Sequence, residues 1–150
     1  MSGDAWDAEL AAQQEALVRA MTADGPMPAG FDAGAVRAAA HGILLKRAGE
    51  AARAWPALAA SFGASWEPEF TRWAAGRPTR GSFLDGWDFA RAHRDGLTGE
   101  AATELALAEV RWAHAGDSPP RPRRAAVRRV PGGAAVRVRG RTRVFRHKER

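Results

Sequence analysis

Residues 32–56 read DAGAVRAAAHGILLKRAGEAARAWP and fix the structural class of the chain. Val36, Ile43 and Leu44 recur at helical spacing, and Asp32 can cap the N-terminus of the helix they define. The Trp-Pro pair that closes the segment ends this helix, because the residue before a proline is forced out of the helical region. The segment therefore predicts a long helix followed by a sharp corner.

The same signals predict five further helices on either side of this one. Proline and glycine separate the segments, and apolar residues recur within them at helical spacing. We expect Trp6 and Leu10 of the first helix, Phe83 of the fifth and Trp112 of the sixth to face inward. The six predicted helices cover approximately residues 4–23, 32–54, 56–62, 67–75, 82–94 and 98–114.

Positive charge is concentrated in the last 34 residues. Residues 117–150 hold 12 Lys and Arg against 2 Asp and Glu, whereas residues 1–116 hold 11 against 15. The balance is thus +10 in the C-terminal segment and −4 in the rest. A mildly acidic body with a basic tail favours a protein that holds an acidic or anionic partner.

Residues 117–150 also change in secondary-structure pattern. Residues 117–124 are rich in proline and arginine and predict a linker. Beyond it, Pro131-Gly132-Gly133 is a turn signal between two runs of alternating valine and arginine. We therefore expect a helical domain at 1–116 and a basic β-hairpin or ribbon at 125–150, either lying on the helices or ordered only on binding. The fold class is mainly α, a compact bundle of about six helices with this short β segment.

Composition limits the chemistry that the chain can perform. It contains no cysteine, which excludes disulfides and thiolate sites. The N-terminus lacks a secretory pattern and no run is apolar enough for a membrane span, so we expect a cytoplasmic protein without membrane contact.

No catalytic or metal-ligand motif is visible in the sequence. The four histidines form no ligand pattern, Ser61 and Ser65 lack a nucleophile motif, and the carboxylates from Asp85 to Asp95 lack calcium-loop spacing. An enzyme that uses those carboxylates ranks last among the possible functions. We expect no enzymatic activity, cofactor or metal.

Arginine and lysine are the candidate binding residues. An arginine-rich ribbon can contact phosphates or carboxylates through forked hydrogen bonds, and part of the second helix could present a cationic strip. An equally simple interpretation is that the arginine-rich end only keeps the chain solvated. The candidates are Lys46, Arg47, Arg53, Arg128, Arg129, Arg137, Arg139, Arg141, Arg143 and Arg146.

The order of motifs in the helical part resembles the helical N-terminal domain of the HvfC/BufC-type DNA-binding family. It resembles a related uncharacterised actinobacterial family more closely still. The resemblance covers roughly residues 6–115 and rests on spacing. The motifs that carry it are Trp55-Pro56-Ala57-Leu58-Ala59, Phe62-Gly63, Trp73-Ala74, Asp85-Gly86, Phe89-Ala90, Leu105-Ala106-Leu107-Ala108-Glu109 and Trp112-Ala113.

This resemblance implies a non-catalytic accessory protein. Such a partner is encoded beside a multinuclear iron oxidase that modifies cysteines of a small ribosomal peptide, and the iron belongs to the other chain. The resulting hypothesis is an adaptor that binds an acidic protein or peptide. The alternative is weakly sequence-specific nucleic-acid binding through the arginine-rich segment, with affinity that falls as salt rises.

Overall fold

The computed structural model describes residues 3–22 and 25–147. Within these residues the chain is mainly α, with six α-helices and a small C-terminal antiparallel sheet, which confirms the expected fold class. Two single 3-10 turns, Gly63–Ser65 and Arg94–Gly96, separate some of the helices. The helices are α1 Gly3–Thr22, α2 Ala33–Ala54, α3 Pro56–Phe62, α4 Trp66–Ala74, α5 Ser82–Ala92 and α6 Gly99–Arg111.

Five strands follow the last helix in the described residues. Strands β1 Trp112–Ala113 and β2 Arg121–Pro122 pair with each other, and β3 Ala125–Val130, β4 Gly133–Val138 and β5 Arg141–Arg146 form a three-stranded antiparallel sheet. The second β-turn of this sheet needs positive φ at both central residues, which Arg139 (47°) and Gly140 (83°) adopt.

The chain divides into two units. The first comprises Met1–Ala54 and Ala64–Asp85, and the second comprises Trp55–Gly63 and Gly86–Arg150. This grouping differs from the division at residues 116 and 125 that the sequence suggests. The reason is that β3 and β4 pack against α6, so the basic sheet shares a unit with the last helix.

In the first unit, α2 packs against α1 and α4. The indole of Trp66 donates a hydrogen bond to the carbonyl of Ala48 (3.0 Å), and its ring lies 5.1 Å from that of Phe70. The amide of Ala35 donates to the carboxylate of Asp32 (2.7 Å), which confirms the predicted cap of α2.

The N-terminal half of α1 is exposed, contrary to the expectation for its apolar stripe. Residues 4–15 are all exposed, including Trp6 at 62%, whereas Leu17 and Met21 are half-buried. Helical spacing identified the stripe, but only Leu17 and Met21 in its C-terminal part are partly covered, since Val18 is 54% exposed. The inward positions predicted for Trp6 and Leu10 are therefore wrong.

In the second unit, a close approach around Trp55 organises the helices. A Cβ at Gly86 would lie 2.2 Å from the Trp55 ring, so only glycine fits against that indole. The carboxylate of Glu104 on α6 accepts hydrogen bonds from the amides of Ala57 (3.3 Å) and Leu58 (2.7 Å). These bonds satisfy the first N–H groups of α3, which its own residues leave unpaired.

Helix α6 ends earlier than the sequence pattern predicts. Its last residue is Arg111, and Trp112 continues as strand β1, paired with Pro122. Part of the expected linker is therefore strand. Trp112 is 37% and Phe83 is 38% exposed, so the inward positions expected for both are wrong.

Candidate partner-binding surface

The strand register sorts the side chains of β3, β4 and β5 onto two faces. Directly paired residues share a face, so Val130, Gly133 and Arg146 lie on one face and Arg129, Ala134 and Phe145 lie on the other. We call the first the inner face, because its Val130 and Ala135 are buried against Ala106 and Val110 of α6. The second is called the outer face.

The outer face carries exposed apolar side chains. Val127, Val138 and Phe145 are 59%, 55% and 57% exposed. Since a solvated strand face is usually polar, three large exposed apolar residues on one face of a small sheet indicate a contact surface. The same face carries the exposed arginines Arg129, Arg141 and Arg143.

A groove runs over the turn end of the sheet. Its volume is about 740 Å³, which is within the range of binding clefts. Its lining includes Val130 of the inner face together with outer-face residues, and it contains two arginines and a histidine. The residues that define it are Val127, Ala134, Phe145, Arg129, Arg146 and His147.

The inner-face arginines are engaged within the fold. Arg128 Nε donates to Glu109 (3.2 Å), and Arg146 bonds Glu100 (3.1 Å). Arg137 donates to the carbonyl of Arg123 (2.7 Å) and to the Thr142 hydroxyl (3.0 Å). These three candidates therefore serve the sheet and its attachment to α6.

The other candidates of the basic segment remain available. Arg129, Arg139, Arg141 and Arg143 are exposed, and none forms an ion pair within residues 3–22 and 25–147. Alternation along the strands thus separates structural arginines from exposed ones. The candidate surface is the outer face with its exposed arginines.

The cationic strip expected on α2 does not form as predicted. Lys46 is exposed, with its ammonium 3.8 Å from Glu50, and Arg53 is exposed. Arg47, however, is buried, and its guanidinium bonds Asp85 at 3.0 and 3.2 Å and the carbonyl of Arg77 at 2.8 Å. An arginine saturated in this way cannot reach a partner, so Arg47 drops out of the candidate surface.

Asp85 is the centre of that buried network. Its carboxylate also accepts hydrogen bonds from the Thr79 hydroxyl (2.7 Å) and the Arg80 amide (2.9 Å). A buried carboxylate with these donors is a structural element of the first unit. Among the described residues, no group of three or more His, Asp or Glu is arranged to hold a metal ion.

One cavity is lined by a serine, a histidine and an aspartate, the residue types of a catalytic triad. Ser61, His93 and Asp95 line a space of about 440 Å³ in the second unit. The Ser61 hydroxyl donates to the Leu58 carbonyl (2.7 Å), and His93 Nδ1 bonds the Phe89 carbonyl (2.9 Å). The hydroxyl and the imidazole thus each bond main chain, which is not the nucleophile–base pair that acyl transfer requires.

Helix length and hydropathy also bear on membrane contact. None of the helices in the described residues combines the length and apolar character needed to cross a bilayer.

Comparison with known proteins places part of this chain in a family. Residues 11–95 match the family model described as SCO6045-like, C-terminal domain, so α6 and the sheet lie beyond the matched region. A UPF0276 protein of Streptomyces avermitilis is 35% identical over 82 residues, which is 54% of this chain. The match spans only 17% of that relative's length. No solved structure matches the chain.

Proposed function

This chain belongs to the SCO6045-like, C-terminal domain family, and on that premise we propose that it is a non-catalytic accessory protein. It binds an acidic protein or peptide through the outer face of its C-terminal sheet. The observation that carries the proposal is the presence, on one exposed face, of Phe145 and Val127 beside arginines that the fold does not use. The site of action is the cytoplasm.

The chemistry of the outer face suits a partner that is both acidic and apolar. Guanidinium groups bind carboxylates through two parallel hydrogen bonds, and Arg141 and Arg143 lie two residues apart on the same face of β5. Phe145 continues that row and supplies apolar contact area. A partner segment with carboxylates next to aliphatic side chains would satisfy both features.

The relative supports an accessory role. The segment related to this chain is 17% of a longer UPF0276 protein, and we propose that it is a module that works beside another polypeptide. The HvfC/BufC-type resemblance extends the proposal further, because it implies a partner that acts with an iron-dependent peptide-modifying oxidase.

A defined peptide tests the proposal. A fluorescently labelled peptide of alternating Glu and Leu should bind the full chain, measured by anisotropy at physiological ionic strength. Arg141→Glu/Arg143→Glu should weaken binding about tenfold or more, since like charges then face each other. The matched control is Arg37→Glu/Arg53→Glu, which changes net charge equally at exposed positions of α2. Equal losses in both double variants would contradict a specific surface.

Nucleic-acid binding is the alternative function, and the same anisotropy measurement distinguishes it from peptide binding. Phe145 is the only aromatic residue of the basic segment, which limits base stacking. A labelled single-stranded oligonucleotide of equal charge should bind more weakly than the peptide. Tighter oligonucleotide binding that falls steeply with salt would replace the adaptor proposal with the alternative.

A further inference from the structure

Glu109 on α6 is in contact with more positive charge than its single negative charge can neutralise. Its carboxylate is almost completely buried and accepts hydrogen bonds from Arg91 Nε (3.5 Å), Arg128 Nε (3.2 Å) and the Arg94 guanidinium. Three guanidinium groups thus face one carboxylate. Arginine stays protonated in proteins, so this cluster keeps an excess of positive charge at neutral pH.

The electrostatics of Glu109 reflect this excess. Burial alone would raise the pKa of its carboxyl group, but hydrogen bonds and charge interactions with Arg94, Arg91 and Arg128 outweigh burial and lower it. The potential that these arginines create at the Glu109 carboxyl group is therefore positive.

A cavity of about 350 Å³ opens beside this cluster. Arg94, Arg128 and Arg129 line it together with Glu109, and aliphatic side chains of α6 and the preceding loop complete its wall. The guanidinium groups of Arg94 and Arg128 bring two positive charges to the cavity against the single negative charge of Glu109, whereas the side chain of Arg129 lies on the outer face. Arg128 Nη1 donates to the Val127 carbonyl (2.9 Å). Since Arg94 and Arg128 are about half and two-fifths exposed, and each guanidinium has five N–H groups, the N–H groups that bond neither Glu109 nor this carbonyl remain accessible.

We propose that this cavity is an oxyanion-binding site that takes a phosphate or carboxylate group against Arg94 and Arg128. A bound oxyanion would neutralise the excess positive charge. Its oxygens would accept forked hydrogen bonds from the remaining guanidinium N–H groups. The aliphatic wall allows the anion to carry a small apolar group. This site is separate from Arg141 and Arg143, and it does not depend on the proposed adaptor function.

Ligand-linked stability of the full chain tests the site. Inorganic phosphate and succinate, each added at constant ionic strength with sodium chloride as reference, should raise the thermal unfolding midpoint in a saturable way, because a ligand of the native state stabilises it. A larger shift with phosphate identifies a phosphoryl ligand, and a larger shift with succinate identifies a carboxylate ligand. No shift beyond chloride in either arm would overturn the proposal.

Matched variants separate a site from general attraction to a basic protein. Arg94→Gln should abolish most of the shift, because Arg94 lines the cavity and is about half exposed, so its guanidinium can reach a bound anion. Arg37→Gln removes the same charge from an exposed position of α2, outside both the cavity and the outer face, and should leave the shift unchanged. Glu109→Gln should tighten phosphate binding about tenfold by removing the competing negative charge. Equal loss in Arg94→Gln and Arg37→Gln would refute a defined site.

Discussion

Arginine occurs in three different roles in this chain, and Arg47 shows the structural one most clearly. Its guanidinium and the Asp85 carboxylate are 9% and 5% exposed, and the two residues are 38 positions apart. Such a pair must be satisfied completely, because each ion loses its hydration on folding. The second group consists of arginines that bond only main chain or a single carboxylate. The third group consists of arginines exposed on the outer face.

Breaking this pair should destabilise the first unit. We expect Arg47→Leu to lower the free energy of unfolding by about 3–5 kcal/mol, because Asp85 would be left buried without its charge partner. Urea denaturation followed by tryptophan fluorescence measures the change. Arg53→Leu, on the exposed side of the same helix, should stay within about 0.5 kcal/mol. Similar values for the two variants would show that the Arg47–Asp85 pair does not stabilise the fold.

At the scale of the element, the C-terminal sheet shows how register decides which side chains are buried. Val130 on β3 and Val138 on β4 have the same side chain, yet Val130 is 7% exposed and Val138 is 55% exposed. Val130 shares the inner face with Ala135 and packs on α6, whereas Val138 lies on the outer face. Removal of the sheet would therefore uncover Ala106 and Val110 of α6.

This asymmetry gives a prediction for two identical substitutions. Val130→Ala should cost about 2 kcal/mol of stability, from lost burial and the cavity that remains. Val138→Ala should cost less than about 0.5 kcal/mol. Both are measured by urea unfolding of the full chain. A larger loss for Val138→Ala would mean that the outer face is the buried one.

At the scale of the whole molecule, charge is used in two ways. The residues before 117 carry a net charge balance of −4. Some of their carboxylates form ion pairs with arginines of the basic segment, as Glu109 does with Arg128. The exposed arginines that remain include those of the outer face and Arg139 in the turn between β4 and β5. The charge pattern along the sequence thus has a structural part and a part available for binding.

Acid should weaken the molecule through Glu109. Because the folded state lowers its pKa, this group stabilises the fold above its unfolded pKa, about 4.3, and the contribution disappears as pH falls through the lower folded value. The stability difference between the wild type and Glu109→Gln should therefore shrink between about pH 6 and pH 3. Urea unfolding across that range measures it. A pH-independent difference would exclude this role for Glu109.

Local signals along the chain were sufficient to place all six helices and to anticipate a C-terminal β segment. Caps such as Asp32, the restriction before Pro56 and apolar periodicity act over a few residues, so they can be recognised without the fold. The end of α6 at Arg111 was missed, because the pairing of Trp112 with Pro122 competes with helix continuation and depends on a segment ten residues away.

Only the tertiary structure distinguished the arginines from one another. Arg47, Arg128 and Arg129 look alike in sequence, but one is buried against Asp85, one bonds Glu109 and one is exposed. Whether a guanidinium meets a carboxylate depends on residues 19 to 38 positions away, and whether a strand residue is buried depends on register and on the helix beneath it. These are long-range contacts, which composition and periodicity do not encode.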